Sequence, residues 1–128
     1  MRLLLDTHVF LWVQTAPERL KGQLALVEDE RNELIVSAAS SWEIAIKHQL
    51  GRLPLPEAPA RYVPSRIQMI GAQSLPVEHS HALAVAELPT LHGDPFDRLL
   101  VAQAQLENLT ILTANETVAQ YPVATILT

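Results

Sequence analysis

Arg2-Leu3-Leu4-Leu5-Asp6 opens the chain with an apolar run that ends abruptly at an acid. Two later segments repeat the run but end at polar, uncharged residues. Leu34-Ile35-Val36 follows Asn32-Glu33 and stops at Ser37, and Thr110-Ile111-Leu112 stops at Thr113-Ala114-Asn115. Each run is uninterrupted rather than alternating, which is the pattern of a strand buried on both faces in a parallel sheet. Val123–Leu127 closes the chain as a fourth strand, and Gly71–Leu75 is a weaker fifth.

Helical patterns fall between these runs. Thr7–Val13 is apolar, and Glu18–Glu30 places Leu20, Leu24 and Val27 at helical spacing. Ser40-Ser41-Trp42-Glu43 starts a helix that runs to Leu50, with Gly51 as its stop signal. Pro54–Pro64 reads as a loop followed by a short helix, and His79–Leu88 is Ala-rich and helical. Asp94-Pro95 starts a last helix running to Leu106, with an Asp cap before proline in the first helical position. Strands alternating with helices predict one α/β domain over residues 1–128, with a central, mostly parallel sheet of four or five strands. Ligands in such sheets lie at the carboxyl ends of the strands, so the residues just after each strand carry the functional interest.

Composition removes several classes of function. At 128 residues and 48% apolar content the chain is long and apolar enough for a core of its own. It has no cysteine, which removes disulfide scaffolds, thiol nucleophiles, iron–sulfur clusters and Cys-ligated zinc. No run approaches a bilayer span, and the start is too short in apolar residues for a signal peptide. A soluble cytoplasmic protein with no membrane partner is the expectation. The net charge of −5 argues against holding nucleic acid mainly by counterion release, but not against meeting phosphate through metal ions. Glycine-rich phosphate-binding patterns are absent.

Acids or their amide recur at the element ends: Asp6, Glu43, Asp94 with Asp97, and Asn115. Each has a structural reading. Asp6 and Asp94 suit helix caps, Glu43 completes a Ser40-x-x-Glu43 capping box, and Asp97 favours a helix N-terminus through the dipole. Taken together, parallel strands would bring them to one edge. Carboxylates crowded there repel unless a proton or a cation intervenes. Oxygen-only ligands suit Mg²⁺ or Mn²⁺, and such sites commonly act on phosphodiesters.

The residues at these ends resemble a known family. Leu3-Leu4-Leu5-Asp6-Thr7-His8, the run from Val36 to Lys47 containing Ser40-Ser41-Trp42-Glu43, Gly51-Arg52-Leu53, His92-Gly93-Asp94-Pro95-Phe96-Asp97-Arg98 and Ile111-Leu112-Thr113-Ala114-Asn115 are similar to PIN-domain nucleases, specifically VapC-type toxins of toxin–antitoxin pairs. The resemblance implies a three-layer α/β/α sandwich and a metal-dependent endoribonuclease. It places Asp6, Glu43 and Asp97 as catalytic acids, and these with Asp94 as ligands of Mg²⁺ or Mn²⁺. Asn115 stands where the family often has a fourth acid. The implied partners are a structured RNA such as tRNA or ribosomal RNA, a cognate antitoxin and a second copy of the chain.

Other residues have two readings. Lys47 is either an i,i+4 partner of Glu43 or a phosphate contact. His92, Arg98 and Asn115 are candidate substrate contacts, and Arg52 shares the ambiguity of Arg98. Thr7 and Thr113 are candidates to hydrogen-bond a ligand carboxylate. His79-Ser80-His81 reads as surface or helix-end histidine rather than zinc ligands, and Trp42 and Phe96 read as core. The competing function is a catalytically weak or inactive PIN-like module that binds a protein partner. Phosphatase and receiver-type readings fail because His8 follows Asp6 at the position where a second acid would stand, and no lysine follows Asp97.

Overall fold

Leu3, Leu4 and Leu5 divide themselves between two cores. Leu3 and Leu5 pack with Val9, Phe10, Leu34, Val36, Ile44, Tyr62, Val63 and Leu112. Leu4 packs with Ile35, Leu100, Val101, Ala104, Ile111 and Tyr121. Successive strand residues point to opposite faces, so an unbroken apolar run fills a core on each side of the sheet. The chain is therefore a three-layer sandwich, as the apolar runs and the resemblance together predict. The computed structural model describes all 128 residues.

The strands are β1 (Arg2–Leu5), β2 (Glu33–Ser37), β3 (Gln73–Leu75), β4 (Thr110–Thr113) and β5 (Thr125–Leu127). All pairings are parallel, in the order β3-β2-β1-β4-β5. The helices are α1 (Thr7–Thr15), α2 (Leu24–Glu28), α3 (Ala38–Gln49), α4 (Pro59–Met69), α5 (His79–Ala84) and α6 (Pro95–Glu107). β1 lies at the centre, between the half built before residue 76 and the half built after it. The order reverses there, and the crevice beyond the strand ends at such a reversal is where ligands bind. Asp6 follows β1 and Thr113 ends β4 on that edge. No helix is long and apolar enough to cross a membrane.

Several local expectations are corrected. The pattern over Glu18–Glu30 is not one helix. A 3₁₀ segment, Pro17–Gln23, breaks at Lys21 (φ 52°, ψ −132°) before α2. Leu20 is fully buried, and the backbone reverses immediately after this anchor. α3 starts at Ala38, not Ser40, because Ser37 is its cap and accepts from the Ala39 amide at 2.9 Å. The Ser40–Glu43 capping box is therefore absent. Trp42, expected in the core, faces outward. Ala39, Ser40, Glu43 and Ile44 form the buried face, and Trp42 is 56% exposed with its ring edge-on to Phe96. Pro64 lies inside α4 rather than in a loop. The carbonyl it leaves without a donor belongs to Ala60, an exposed residue. The helix expected over His79–Leu88 ends at Ala84, and a 3₁₀ turn follows over Val85–Glu87. His81 is buried, not at the surface. Its Nδ1 accepts from the Glu78 amide and its Nε2 meets Glu107.

Candidate active site

Asp6 occupies the cap position of α1 but makes no side-chain capping bond. Its Oδ2 instead accepts from the Thr113 hydroxyl at 2.6 Å, joining the ends of β1 and β4. The Thr113 oxygen accepts in turn from the Asn115 amide at 3.0 Å, which directs its proton to Asp6. Burial pushes Asp6 above the ordinary carboxylate range, against the hydrogen bond from Thr113. Thr7 does not reach a carboxylate. Its hydroxyl donates to Ser40 at 2.9 Å and fastens the start of α1 to α3.

Glu43 lies in the second turn of α3 and is almost fully buried. Its Oε2 accepts from Lys47, while Oε1 is buried with no hydrogen-bond partner. An unpartnered buried carboxylate oxygen is unfavourable by about 1–3 kcal/mol, so it marks a place where a ligand would be stabilising. Burial alone would lower Lys47. The hydrogen bond and charge of Glu43, with the charges of Asp94 and Asp97, outweigh it and raise the ammonium group. A hollow of about 260 Å³ opens beside Glu43 and Lys47, lined also by Thr7, His8, Ile44 and Arg52. A larger apolar hollow of about 670 Å³ lies away from the acids, between α3 and α4.

Asp97 is placed by the cap of α6. Asp94 Oδ1 accepts from the Phe96 amide at 2.9 Å and the Asp97 amide at 3.0 Å, which fixes the first turn. Asp97 Oδ2 accepts from His92 Nε2 and from Asn115 Nδ2, each at 3.2 Å. Burial, then the charge of Asp6, pushes Asp97 up to about 6, with Asp94 and Glu43 adding to the rise. The four acids thus share one electrostatic neighbourhood. No three His, Asp or Glu side chains are already drawn together as a metal-ligand group.

The remaining candidates divide between the site and the scaffold. Lys47 pairs with Glu43. His92 and Asn115 face Asp97. Arg98 is committed to the carbonyls of Pro89 (2.9 Å) and Val85 (3.2 Å) and to the Tyr121 hydroxyl (3.0 Å). Tyr121 has no signal in the sequence, since a lone tyrosine after a short turn resembles any core aromatic. Gln103 lies in the run from His92 to Ala104 that carries the family resemblance, and the sequence gives it no separate role. It is buried within α6, where it accepts from Ser37 and donates to the Pro76 carbonyl.

The sequence matches the family described as PIN domain over residues 3–124. It is 53% identical over 66 residues to ribonuclease VapC16 of Mycobacterium tuberculosis, a match covering 52% of this chain and 47% of that protein. The chain therefore aligns with about half the length of that relative. With ribonuclease VapC22 of the same organism it is 32% identical over 105 residues, covering 80% of this chain and 78% of the relative. Among solved structures, one chain of VapBC2 from Rickettsia felis bound to a promoter DNA fragment superposes with a TM-score of 0.69 at 16% identity, covering 99% of this chain and 98% of that one. At that identity the likeness concerns the fold.

Proposed function

This chain belongs to the PIN domain family, and on that premise we propose that it is a metal-dependent endoribonuclease acting as the toxin of a toxin–antitoxin pair. The observation that carries the metal is the unpartnered, buried Glu43 Oε1 beside an Asp97 raised by burial and then by its neighbours' charges. A divalent cation relieves both. The donors are carboxylate oxygens with no thiolate, which suits Mg²⁺ or Mn²⁺.

Asp6 and Asp97 would hold the ion, and Asp94 adds charge at the rim while its Oδ1 caps α6. When bound, a divalent ion supplies Lewis acidity toward a phosphodiester. Glu43 either joins the ligand set, directly or through water, or orients the attacking water. Lys47 pairs with Glu43 and stands at the rim of the adjoining hollow, where an RNA phosphate can meet it. In-line attack by water leaves a 5′-phosphate and a 3′-hydroxyl.

The substrate in this reading is a structured RNA such as tRNA or ribosomal RNA, and the setting is the cytoplasm. The partners are a second copy of the chain and an antitoxin whose basic segment enters the acidic crevice. The ribonuclease names of the two mycobacterial relatives support the activity, and the VapBC likeness supports the pair. A second reading, a module that binds protein without cleaving RNA, is favoured by Asn115 at a position suited to an acid. The test is cleavage of total bacterial RNA by protein purified through a denaturing step, with Mg²⁺, with Mn²⁺ and with chelator. Metal-dependent cutting that is lost in Asp97→Asn is the expected result. Cutting that persists in chelator, or products ending in 2′,3′-cyclic phosphate, would refute the mechanism.

A further inference from the structure

Three side chains behind Asp97 make a continuous hydrogen-bonded path, and donor chemistry gives it a single direction. Arg98 can only donate. Its Nη1 lies 3.0 Å from the Tyr121 hydroxyl and 2.9 Å from the Pro89 carbonyl, so both Nη1 protons have acceptors. The Tyr121 oxygen is thus an acceptor from Arg98. Its own proton has one remaining partner, His92 Nδ1 at 2.7 Å. Were Nδ1 protonated instead, the phenolic proton of a tyrosine only 3% exposed would have no acceptor. Leaving a buried donor unsatisfied is unfavourable by about 1–3 kcal/mol. Nδ1 therefore accepts, and the imidazole proton lies on Nε2, facing Asp97 Oδ2 at 3.2 Å.

A second donor reaches the same oxygen with its direction also fixed. Asn115 Oδ1 accepts from the Thr117 amide at 2.9 Å, so the amide nitrogen is the end that faces Asp97. Both donors converge on Oδ2, and Oδ1 has no protein partner.

We propose that Arg98, Tyr121 and His92 form a one-way relay, Arg98 to Tyr121 to His92 to Asp97, which with Asn115 pins one oxygen of Asp97 and presents the other to the divalent ion. The role toward the ion rests on the nuclease reading above, while the direction of the relay does not. Tyr121 and Arg98 are positioning residues, since neither touches Asp97 itself. Arg98 and Asn115 are then scaffold for the acid rather than contacts for RNA. The relay also explains why Arg98 is turned inward onto the carbonyls of Val85 and Pro89, which tether it to the chain before α6.

Nitrogen NMR of the imidazoles in the whole, antitoxin-free protein tests the direction, with the His92 signals assigned through His92→Gln. The expected result in wild type is a proton on Nε2 and an unprotonated, hydrogen-bonded Nδ1. In Tyr121→Phe the proton should stay on Nε2, which Asp97 still accepts, while Nδ1 loses its hydrogen bond and its signal shifts to that of a free, unprotonated nitrogen. Mn²⁺ affinity, measured by calorimetry with no RNA present, should fall about 10-fold in Tyr121→Phe, the usual scale for a partner behind a metal ligand. Val118→Ala loosens the same buried cluster without touching the relay, and should keep both the wild-type tautomer and the wild-type affinity. A wild-type His92 protonated on Nδ1, or an Nδ1 signal in Tyr121→Phe identical to wild type, would overturn the relay. Equal losses of affinity in Val118→Ala and Tyr121→Phe would reduce Tyr121 to a packing residue. No Mn²⁺ binding by wild type would remove the metal reading and the presenting role with it, and the tautomer would still decide the relay.

Discussion

The Thr113 hydroxyl donates to Asp6 Oδ2 at 2.6 Å across 107 residues of sequence, and it ties the central strand to the strand that joins it last. Both groups are buried. Thr113→Val keeps the shape and removes the donor, leaving a buried carboxylate with less support. Stability should fall by about 2 kcal/mol, the scale of a hydrogen bond to a charged group. Thr113→Ser should recover most of the loss. Urea denaturation of the three proteins in chelator checks it, and equal stabilities would remove the bond from the account.

Asp97→Asn should stabilise the metal-free protein near neutral pH. Asp97 is raised from 3.8 to about 6, chiefly by burial and then by Asp6. The folded state therefore holds this proton more tightly than the unfolded state does. Its contribution favours folding most below about pH 4 and is lost as pH rises through 6. Above that, the ionised carboxylate opposes folding by on the order of 2 kcal/mol. The substitution should raise Tm at pH 7 in chelator and change it little at pH 4. A gain of the same size at both values would refute the electrostatic cause.

By the same sign, Mn²⁺ affinity of the wild-type protein should weaken as pH falls through 6, because ion and proton compete for Asp97. Calorimetry between about pH 5 and 8 reads this directly. An affinity independent of pH over that range would mean that Asp97 is not a ligand.

Lys47→Met should lower stability by about 2 kcal/mol in chelator, less than for a fully buried pair because the lysine end reaches solvent. Glu43 then loses its one protein partner while staying buried. Adding Glu43→Gln should restore part of the loss, so the pair will not be additive. Mn²⁺ should raise Tm more in Lys47→Met than in wild type. Additive single and double variants would argue that the ion pair is incidental.

Asn115→Asp removes a donor to Asp97 and puts a like charge in its place. Without metal the variant should be less stable than wild type. With saturating Mn²⁺ the gain in Tm should exceed that of wild type, since a fourth charge strengthens ion binding. Thermal melts with and without Mn²⁺ decide it, and equal gains would show that position 115 lies outside the ion's reach.

The strands were legible because an apolar run filling both faces of a sheet has no solvent-facing interruptions. Asp6 and Asp97 were legible as element ends that the topology brings to one edge, while Glu43 was read at the start of α3 and lies in its second turn. What was hidden depends on helix register and long-range partners. Ser37 and Ser40 are both good caps for α3, and nothing local distinguishes an exposed Trp42 from a core one. Tyr121 gains its role only because β4 and α6 bring residues 92, 98 and 121 together. His81 looked superficial beside two other polar residues, yet the Glu107 carboxylate and Glu78 amide receive it in a buried position.

The position of β1 has a consequence for synthesis. The first strand made is the middle strand of the finished sheet, and its second neighbour, β4, begins at Thr110. A chain emerging from a ribosome can pair β1 with β2 early, but its Asp6 waits for Thr113 and Asn115 until β4 has been translated. Closing so long a loop is slow relative to local folding. Chains that stop short of β4 therefore carry Asp6 and Asp97 without the Thr113 and Asn115 contacts that hold them.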